Sequence, residues 1–263
     1  MKPDGKRSAS VPAELAAVLS RFERVALAFS GGVDSAYLLH AALAVGLDVK
    51  AYYVASVFQP AFERADARRL VSELGADMAE LELDMLSCAA VRRNGPERCY
   101  WCKRAIMGRI QEAARADGRQ VLFDGSNASD DAADRPGMRA LAELEVRSPL
   151  REAGLTKARI RELSHEAGLF TWDKPAYACL ATRIPTGREI TAELLERVER
   201  AESAVFAQGL RDFRVRVLHE AARLEVTADE LPLLLERREE ILARLGEDFT
   251  AVLLDLRLRE GDG

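Results

Sequence analysis

The sequence predicts an α/β domain built on a mostly parallel sheet, followed by a smaller α+β module. Through the first half of the chain, short apolar runs alternate with amphipathic stretches of helical spacing, the pattern of βαβ units joined by right-handed crossovers. The 263 residues are 48% apolar and 31% charged, enough to bury a sizeable core and unlike a disordered chain. After Gly187 the order changes to helix, strand, strand, helix, strand, a different kind of module.

After a polar leader, RVALAF (24–29) reads as a buried strand. The stretch GGVDSAYLLHAALAVG then has the spacing of a helix that ends at glycine. VKAYYVA is a second strand, AFERADARRLVSELG a helix, MAELEL a third strand, KRAIMGRIQEAARADG a helix and QVLFDGSN a fourth strand. From Ala128 to Thr186 the pattern loosens into loops around one clear helix, TKARIRELSHEAG, and a long loop segment of this kind is more often functional than idle. The turn Pro185-Thr186-Gly187 sets the expected boundary, giving domains 1–187 and 188–263. In the second, ITAELLERVERAESAVFAQG and DELPLLLERREEILARLG read as helices, and DFRVRVL, RLEVTA and FTAVLLDLRL as strands.

Charge and cysteine usage narrow the function. A net charge of −5 argues against general polyanion binding, so nucleic acid is not an expected partner. No apolar run approaches the roughly 18 to 20 residues that span a bilayer, and no apolar stretch follows the basic residues of MKPDGKRSAS, so the expected location is the cytoplasm. Four cysteines are too few for a disulfide framework, and in a reducing compartment the Cys99-x-x-Cys102 pair points to metal, cluster or redox work. Cys88, in MLSCAAV, reads as a small buried hydrophobe.

The string Ser30-Gly31-Gly32-Val33-Asp34-Ser35 stands between the first strand and a helix start. Adjacent glycines let backbone N–H groups close around an anion, and the helix N-terminus adds its positive end. The bland alternative is a tight turn with Asp34 or Ser35 as N-cap. It is not a Walker A loop, because no Gly-Lys-Ser/Thr follows. The string resembles the pyrophosphate loop of the ATP pyrophosphatase (adenine nucleotide alpha hydrolase-like) superfamily. The resemblance implies that ATP is cleaved between its α- and β-phosphates with Mg2+ offsetting their charge, and that a substrate oxygen is adenylylated. It makes Ser30, Gly31, Gly32, Asp34 and Ser35 nucleotide-binding candidates, joined by Gly125, Ser126 and Asn127 after the fourth strand and by Ser56 after the second.

Taken in order, SGGVDS, RCYWCK, GSNASDDAADRPGMRALAELEVRSPLREAGLTKARIREL, TWDKPAYACLATRIPTGREIT and FRVRV with ARLEV are similar to the LarE-type ATP-dependent sulfur transferases, from about Arg24 to about Thr227. The resemblance implies sulfur insertion into a pyridinium mononucleotide carrying two ring carboxylates, during nickel-pincer cofactor synthesis. One carboxylate becomes an acyl-adenylate and sulfur displaces AMP. It further implies that Cys99, Cys102 and Cys179 hold a [4Fe-4S] cluster which carries sulfide from an outside donor, with sacrifice of the Cys179 sulfur as the alternative. In that geometry the cysteine loop faces the α-phosphate.

Arg214 and Arg216 alternate with Phe213, Val215 and Val217, so the guanidiniums share one strand face. If ARLEV pairs antiparallel with it, Glu225 falls on a polar face too; composition alone favours a solvated outer surface. By resemblance Arg183, Arg214 and Arg216 bind substrate, the strand pair holding its phosphate, and Glu202 and Glu225 hold a divalent metal. Arg135, in DRPG, is a further pocket candidate, with an exposed loop arginine as the equal alternative. The chain departs from the family's usual Asn-Ala-Asp-Asp by placing Ser129 where the first acid stands, before Asp130. Homo-oligomeric assembly is expected. A tRNA thiolase, an ATP-dependent amidating ligase and a non-catalytic nucleotide- or cluster-binding module are the rival readings; the first needs an RNA surface and the second leaves the three cysteines unexplained.

Overall fold

Alternating burial along the first strands decides the layering. In β1 (Arg24–Ala28) Val25 and Leu27 face one core and Ala26 the other; in β2 (Asp48–Ala55) Val49, Ala51, Tyr53 and Ala55 oppose Tyr52 and Val54. A sheet buried on both faces needs helices on both. The computed structural model describes residues 11 to 130 and 135 to 260; the leader 1–10 and the side chain of Arg135 lie outside the described residues.

The chain divides into two units, and both are discontinuous in sequence. The first comprises residues up to Ser56, Ala61–Leu83 and Cys99–Lys174. It contains α1 (Ala13–Leu19), β1, α2 (Val33–Ala44), β2, α3 (Ala61–Leu74) and β3 (Asp77–Glu82). After α4 (Ala89–Arg92), which belongs to the second unit, come α5 (Arg98–Ala116), β4 (Leu122–Phe123), α6 (Arg135–Glu143), α7 (Pro149–Glu152) and α8 (Lys157–Glu166). The four strands are parallel in the order β3-β2-β1-β4. Residues of α2, α3 and α8 fill the core on one face, and Ile110 and Ala114 of α5 fill the other. Strand order reverses at β1, whose neighbours are β2 and β4, so the crevice between the ends of β1 and β4 is the switch point where such sheets bind ligands.

The second unit comprises Val57–Pro60, Asp84–Arg98 and Pro175–Gly263 as grouped by contact, described as far as residue 260. Besides α4 it carries α9 (Ala192–Phe206), β5 (Phe213–Leu218), β6 (Ala221–Val226), α10 (Leu231–Glu236), α11 (Arg238–Leu245) and β7 (Ala251–Leu254). β5 pairs antiparallel with β6, which pairs parallel with β7. Phe213, Val215 and Val217 are buried, as are Leu195, Val198 and Val205 of α9, which packs on β5.

Several expectations are corrected. α5 begins at Arg98, so Cys99 and Cys102 lie in its first turn and do not precede it. The leader's end forms α1 with Leu15, Val18 and Leu19 buried. α6 and α7 occupy ground read as loop, and the single C-terminal helix is broken at Arg237. The boundary falls at Pro175, ahead of Gly187, because Pro185–Arg188 is bound to the second unit's own 84–98 segment: the buried Asn94 amide donates to the carbonyls of Ile184, Pro185 and Arg188 at 2.9 to 3.2 Å, and Gly187 N–H donates to Asn94 O at 2.8 Å. Among the described residues, no helix is long and apolar enough to cross a membrane.

Candidate functional site

The loop after β1 is shaped by its own serines and by one glycine. Gly31 has φ +77°, and a Cβ there would stand 3.2 Å from Ala67 Cβ on α3, so both backbone conformation and space call for glycine. Ser30 and Ser35 Oγ are 3.1 Å apart; Gly32 N–H donates to Ser30 Oγ, and Ser35 Oγ donates to Gly32 O. The N-cap is Gly32, with no side-chain cap, so neither Asp34 nor Ser35 has the capping role. The first-turn N–H groups of Val33, Asp34 and Ser35 have no intrahelical acceptor, which is what an anion requires at a helix N-terminus.

The loop after β4 closes on this turn. A Cβ on Gly125 would stand 3.0 Å from Ser35 N, so the two loops touch backbone to backbone. Asp124 is buried and accepts from Ser126 Oγ and Ser148 Oγ, both at 2.6 Å. Asn127 donates to Asp34 at 3.4 Å and to Asp130 at 3.2 Å, and accepts from Ser129 N–H at 2.8 Å. Ser129 keeps a use despite replacing an acid: its Oγ accepts from Lys157 N–H at 3.0 Å. The structure therefore brings together Ser30, Gly31, Gly32, Asp34, Ser35, Gly125 and Asn127; Ser126 turns its hydroxyl to Asp124, and Ser56 follows the C-terminal end of β2.

Lys157 is the residue that sequence reading missed. Its Nζ lies 2.6 Å from Asp34 Oδ2. Burial raises the pKa of Asp34; Lys157 works against that rise and Asp130 adds to it. Asp34 and Asp130 are hard oxygen donors, the chemistry that suits Mg2+, while Asn127 turns its amide NH2 to both and its oxygen to Ser129 N–H.

The first unit also carries Cys99 and Cys102, three residues apart on the first turn of α5 and hence on one helix face. Tyr100 between them is buried and donates to Glu143 at 2.6 Å. Cys179 belongs to the second unit, where it is N-cap of the 3-10 turn Leu180–Arg183 and its carbonyl accepts from Thr182 N–H and Oγ1. Leu180 N–H donates to Phe58 O at 2.9 Å, which pins that turn. All three thiols, and Cys88, are free of disulfides. Three thiols outside any disulfide match a [4Fe-4S] cluster in donor type and number. Among the described residues no ready-made group of three or more His, Cys, Asp or Glu side chains surrounds a metal position.

The arginine strand is not a solvated surface. Arg214 is 4% exposed and donates to the carbonyls of Phe213 and Ala176. Its pKa falls to about 10, through burial first and then repulsion from Arg183 and Arg259. Arg216 binds Glu225 through Nε at 2.7 Å and Thr182 O through Nη1 at 2.6 Å, leaving Nη2 without a partner among the described residues. Arg183 and Glu202, each 1% exposed, pair at 2.8 Å, and the Glu202 carboxylate also accepts from Tyr177 OH and Val215 N–H. Glu225 accepts from Arg216 and Arg223, both at 2.7 Å. Both glutamates are thus neutralised by guanidiniums, Glu202 by Arg183 and Glu225 by Arg216 and Arg223, which does not suit the divalent metal expected of them.

No protein-family model matches the chain. It is 35% identical over 220 residues to the pyridinium-3,5-bisthiocarboxylic acid mononucleotide synthase of Lactiplantibacillus plantarum, covering 83% of this chain and 80% of that protein. It is 35% identical over 210 residues to an uncharacterized protein of Synechocystis sp., 80% of this chain and 78% of that one, and 27% identical over 237 residues to an uncharacterized protein of Methanocaldococcus jannaschii, 90% of each. With the two phosphate-loop segments meeting at the sheet's switch point and a relative this similar over this length, the chain belongs to the LarE-type sulfur transferase family.

Proposed function

We propose that this protein inserts sulfur into a carboxylate of a pyridinium mononucleotide by an ATP-dependent route, as a step of nickel-pincer cofactor synthesis. The observation that carries the reading is the contact between the Ser30–Ser35 turn and the Gly125–Asn127 loop, in a chain of this family. In the first step a substrate carboxylate oxygen bonds to the α-phosphorus of ATP, the bond from that phosphorus to the bridging oxygen breaks, and pyrophosphate leaves with the electron pair. The open N–H groups of Val33, Asp34 and Ser35 and the Ser30 and Ser35 hydroxyls bind the departing phosphates. Asp34 and Asp130 would hold Mg2+, and Lys157, 2.6 Å from Asp34, works against the rise that burial gives its pKa. In the second step a sulfur nucleophile adds to the acyl carbon and AMP leaves, giving the thiocarboxylate. Arg214 and Arg216 orient the substrate through its phosphate.

Cys99, Cys102 and Cys179 would hold a [4Fe-4S] cluster, which with three protein ligands supplies one iron open to sulfide. A sulfide donor, the cytoplasm and a homo-oligomer complete the reading. The test is anaerobic reconstitution followed by repeated turnover with ATP, substrate and sulfide. About four irons per chain and several thiolations per chain are expected, with Cys102→Ala losing the iron. A colourless protein whose mass falls by one sulfur after a single turnover replaces the cluster with sacrifice of Cys179. Thiolation without pyrophosphate release overturns adenylylation.

A further inference from the structure

The turn that carries Cys179 is too short to hold its own shape. Cys179 is the N-cap of a single 3-10 turn, Leu180–Arg183, whose internal bonds are few. Cys179 O accepts from Thr182 N–H at 2.9 Å and from Thr182 Oγ1 at 2.8 Å, and Ala181 O accepts from Ile184 N–H at a long 3.3 Å. One turn of 3-10 helix has poorer hydrogen-bond geometry than an α-helix and leaves its last carbonyls open, so its shape depends on partners from elsewhere.

The second unit supplies those partners along the turn. Leu180 N–H donates to Phe58 O at 2.9 Å, Arg98 Nη1 to Ala181 O at 2.9 Å and Arg216 Nη1 to Thr182 O at 2.6 Å. The buried Asn94 amide continues the series, donating to Ile184 O at 3.2 Å and Pro185 O at 2.9 Å. Asn94 takes φ +53° at this point, a left-handed conformation that asparagine tolerates better than most side chains. Arg98 joins the parts of the cradle, because the same Nη1 also donates to Asn94 Oδ1 at 2.7 Å. A guanidinium on a carbonyl makes a stronger bond than a neutral donor does, and this one grips the residue two positions after the thiol.

We propose that Arg98 is a positioning residue for the Cys179 turn, fixing the direction in which the thiol leaves the chain. This role rests on the reading of Cys179 as the residue that binds or gives up the transferred sulfur. The test compares the full-length wild type with Arg98→Met, Arg98→Lys, Cys179→Ala and, as a control on an exposed arginine of the same segment, Arg93→Met. Amide hydrogen exchange is read by mass spectrometry, and thiolation of the pyridinium mononucleotide is followed against ATP concentration. Arg98→Met is expected to speed exchange at amides 180 to 184 about ten-fold and to slow thiolation at saturating ATP about ten-fold. Exchange in α9 and β5 and the half-saturating ATP concentration should not move, and Arg93→Met should match wild type throughout. Arg98→Lys should fall between wild type and Arg98→Met, because an ammonium keeps the charge and loses the fork. Wild-type exchange in the turn, faster exchange with wild-type thiolation, or faster exchange spread over α9 and β5 overturns the role of Arg98. Those outcomes leave the reading of Cys179 standing so long as Cys179→Ala abolishes thiolation. Thiolation by Cys179→Ala at the wild-type rate, or none by wild type, overturns that reading and the role of Arg98 with it. If Arg98→Met does not fold by circular dichroism, Arg98→Lys decides: wild-type exchange and thiolation overturn the role, and a change in both supports it.

Discussion

The carboxylate of Asp34 sits between a burial penalty and a cation. Burial holds its folded pKa above the ordinary value, so its contribution to stability is greatest in acid and is lost as pH rises through the folded pKa; Lys157, at 2.6 Å, limits that loss. Lys157→Met should raise the folded pKa further. The variant's deficit against wild type should be small below about pH 4 and grow to about 1–3 kcal/mol near neutrality, read by urea denaturation across pH. A deficit that does not change with pH would show that Lys157 acts through packing instead. The loop's own residues were legible in the sequence because Ser30 to Ser35 act on one another within a single turn. Lys157 was not, since 123 positions separate it from Asp34 and a lysine in an amphipathic helix looks like any solvated charge.

At the scale of elements, periodicity found β1, β2, α2, α3, α8 and α9, where burial of one face dictates the spacing. It overextended β4, where only Leu122 and Phe123 pair with β1, because the following Asp124–Asn127 segment is committed to side-chain hydrogen bonds. It started α5 late: Arg98 binds Asn94 Oδ1 at 2.7 Å and Ala181 O at 2.9 Å, contacts that hold the helix start and have no local sequence signature. Glu202 ties three elements of the second unit, reaching from α9 to β5 through Val215 N–H and to the 3-10 turn through Arg183. Glu202→Gln should destabilise that unit by about 3–5 kcal/mol, since it leaves the Arg183 charge buried without its partner. The combined change Arg183→Met with Glu202→Leu should recover part of the loss. Thermal unfolding of the two variants beside wild type checks both statements, and equal losses in the single and double changes would mean the ion pair is not the cause.

For the molecule as a whole, ion pairing sets the response to acid. Asp48 with Arg119 and Arg24, Glu80 with Arg68 and Arg64, Asp117 with Tyr52 and Lys50, Glu152 with Arg147, Glu220 with Arg197, and Asp248 with Arg200 all have lowered pKa values, hydrogen bonds to the ionised form being the main cause. A depressed folded pKa gives stability that is present above the ordinary carboxylate range and is lost as pH falls through the folded value. Asp34 and Glu63, both raised by burial, oppose this but are outnumbered. The melting temperature should therefore fall as pH drops below about 4.5, and high salt should flatten the fall because these pairs face water. A melting temperature that rises in acid would put the buried carboxylates in control. Alternation of strands and helices made the parallel sheet readable, whereas the discontinuous division of the chain was not, because a single buried amide, Asn94, gathers three carbonyls about 90 positions away. The order β3-β2-β1-β4 bears on how the protein is made. A ribosome delivers the SGGVDS turn early, but Asn127, 93 positions after Asp34, must emerge before the crevice has its second wall. A nascent chain that has released only β1, β2 and β3 carries the SGGVDS turn in full but not the loop that closes on it.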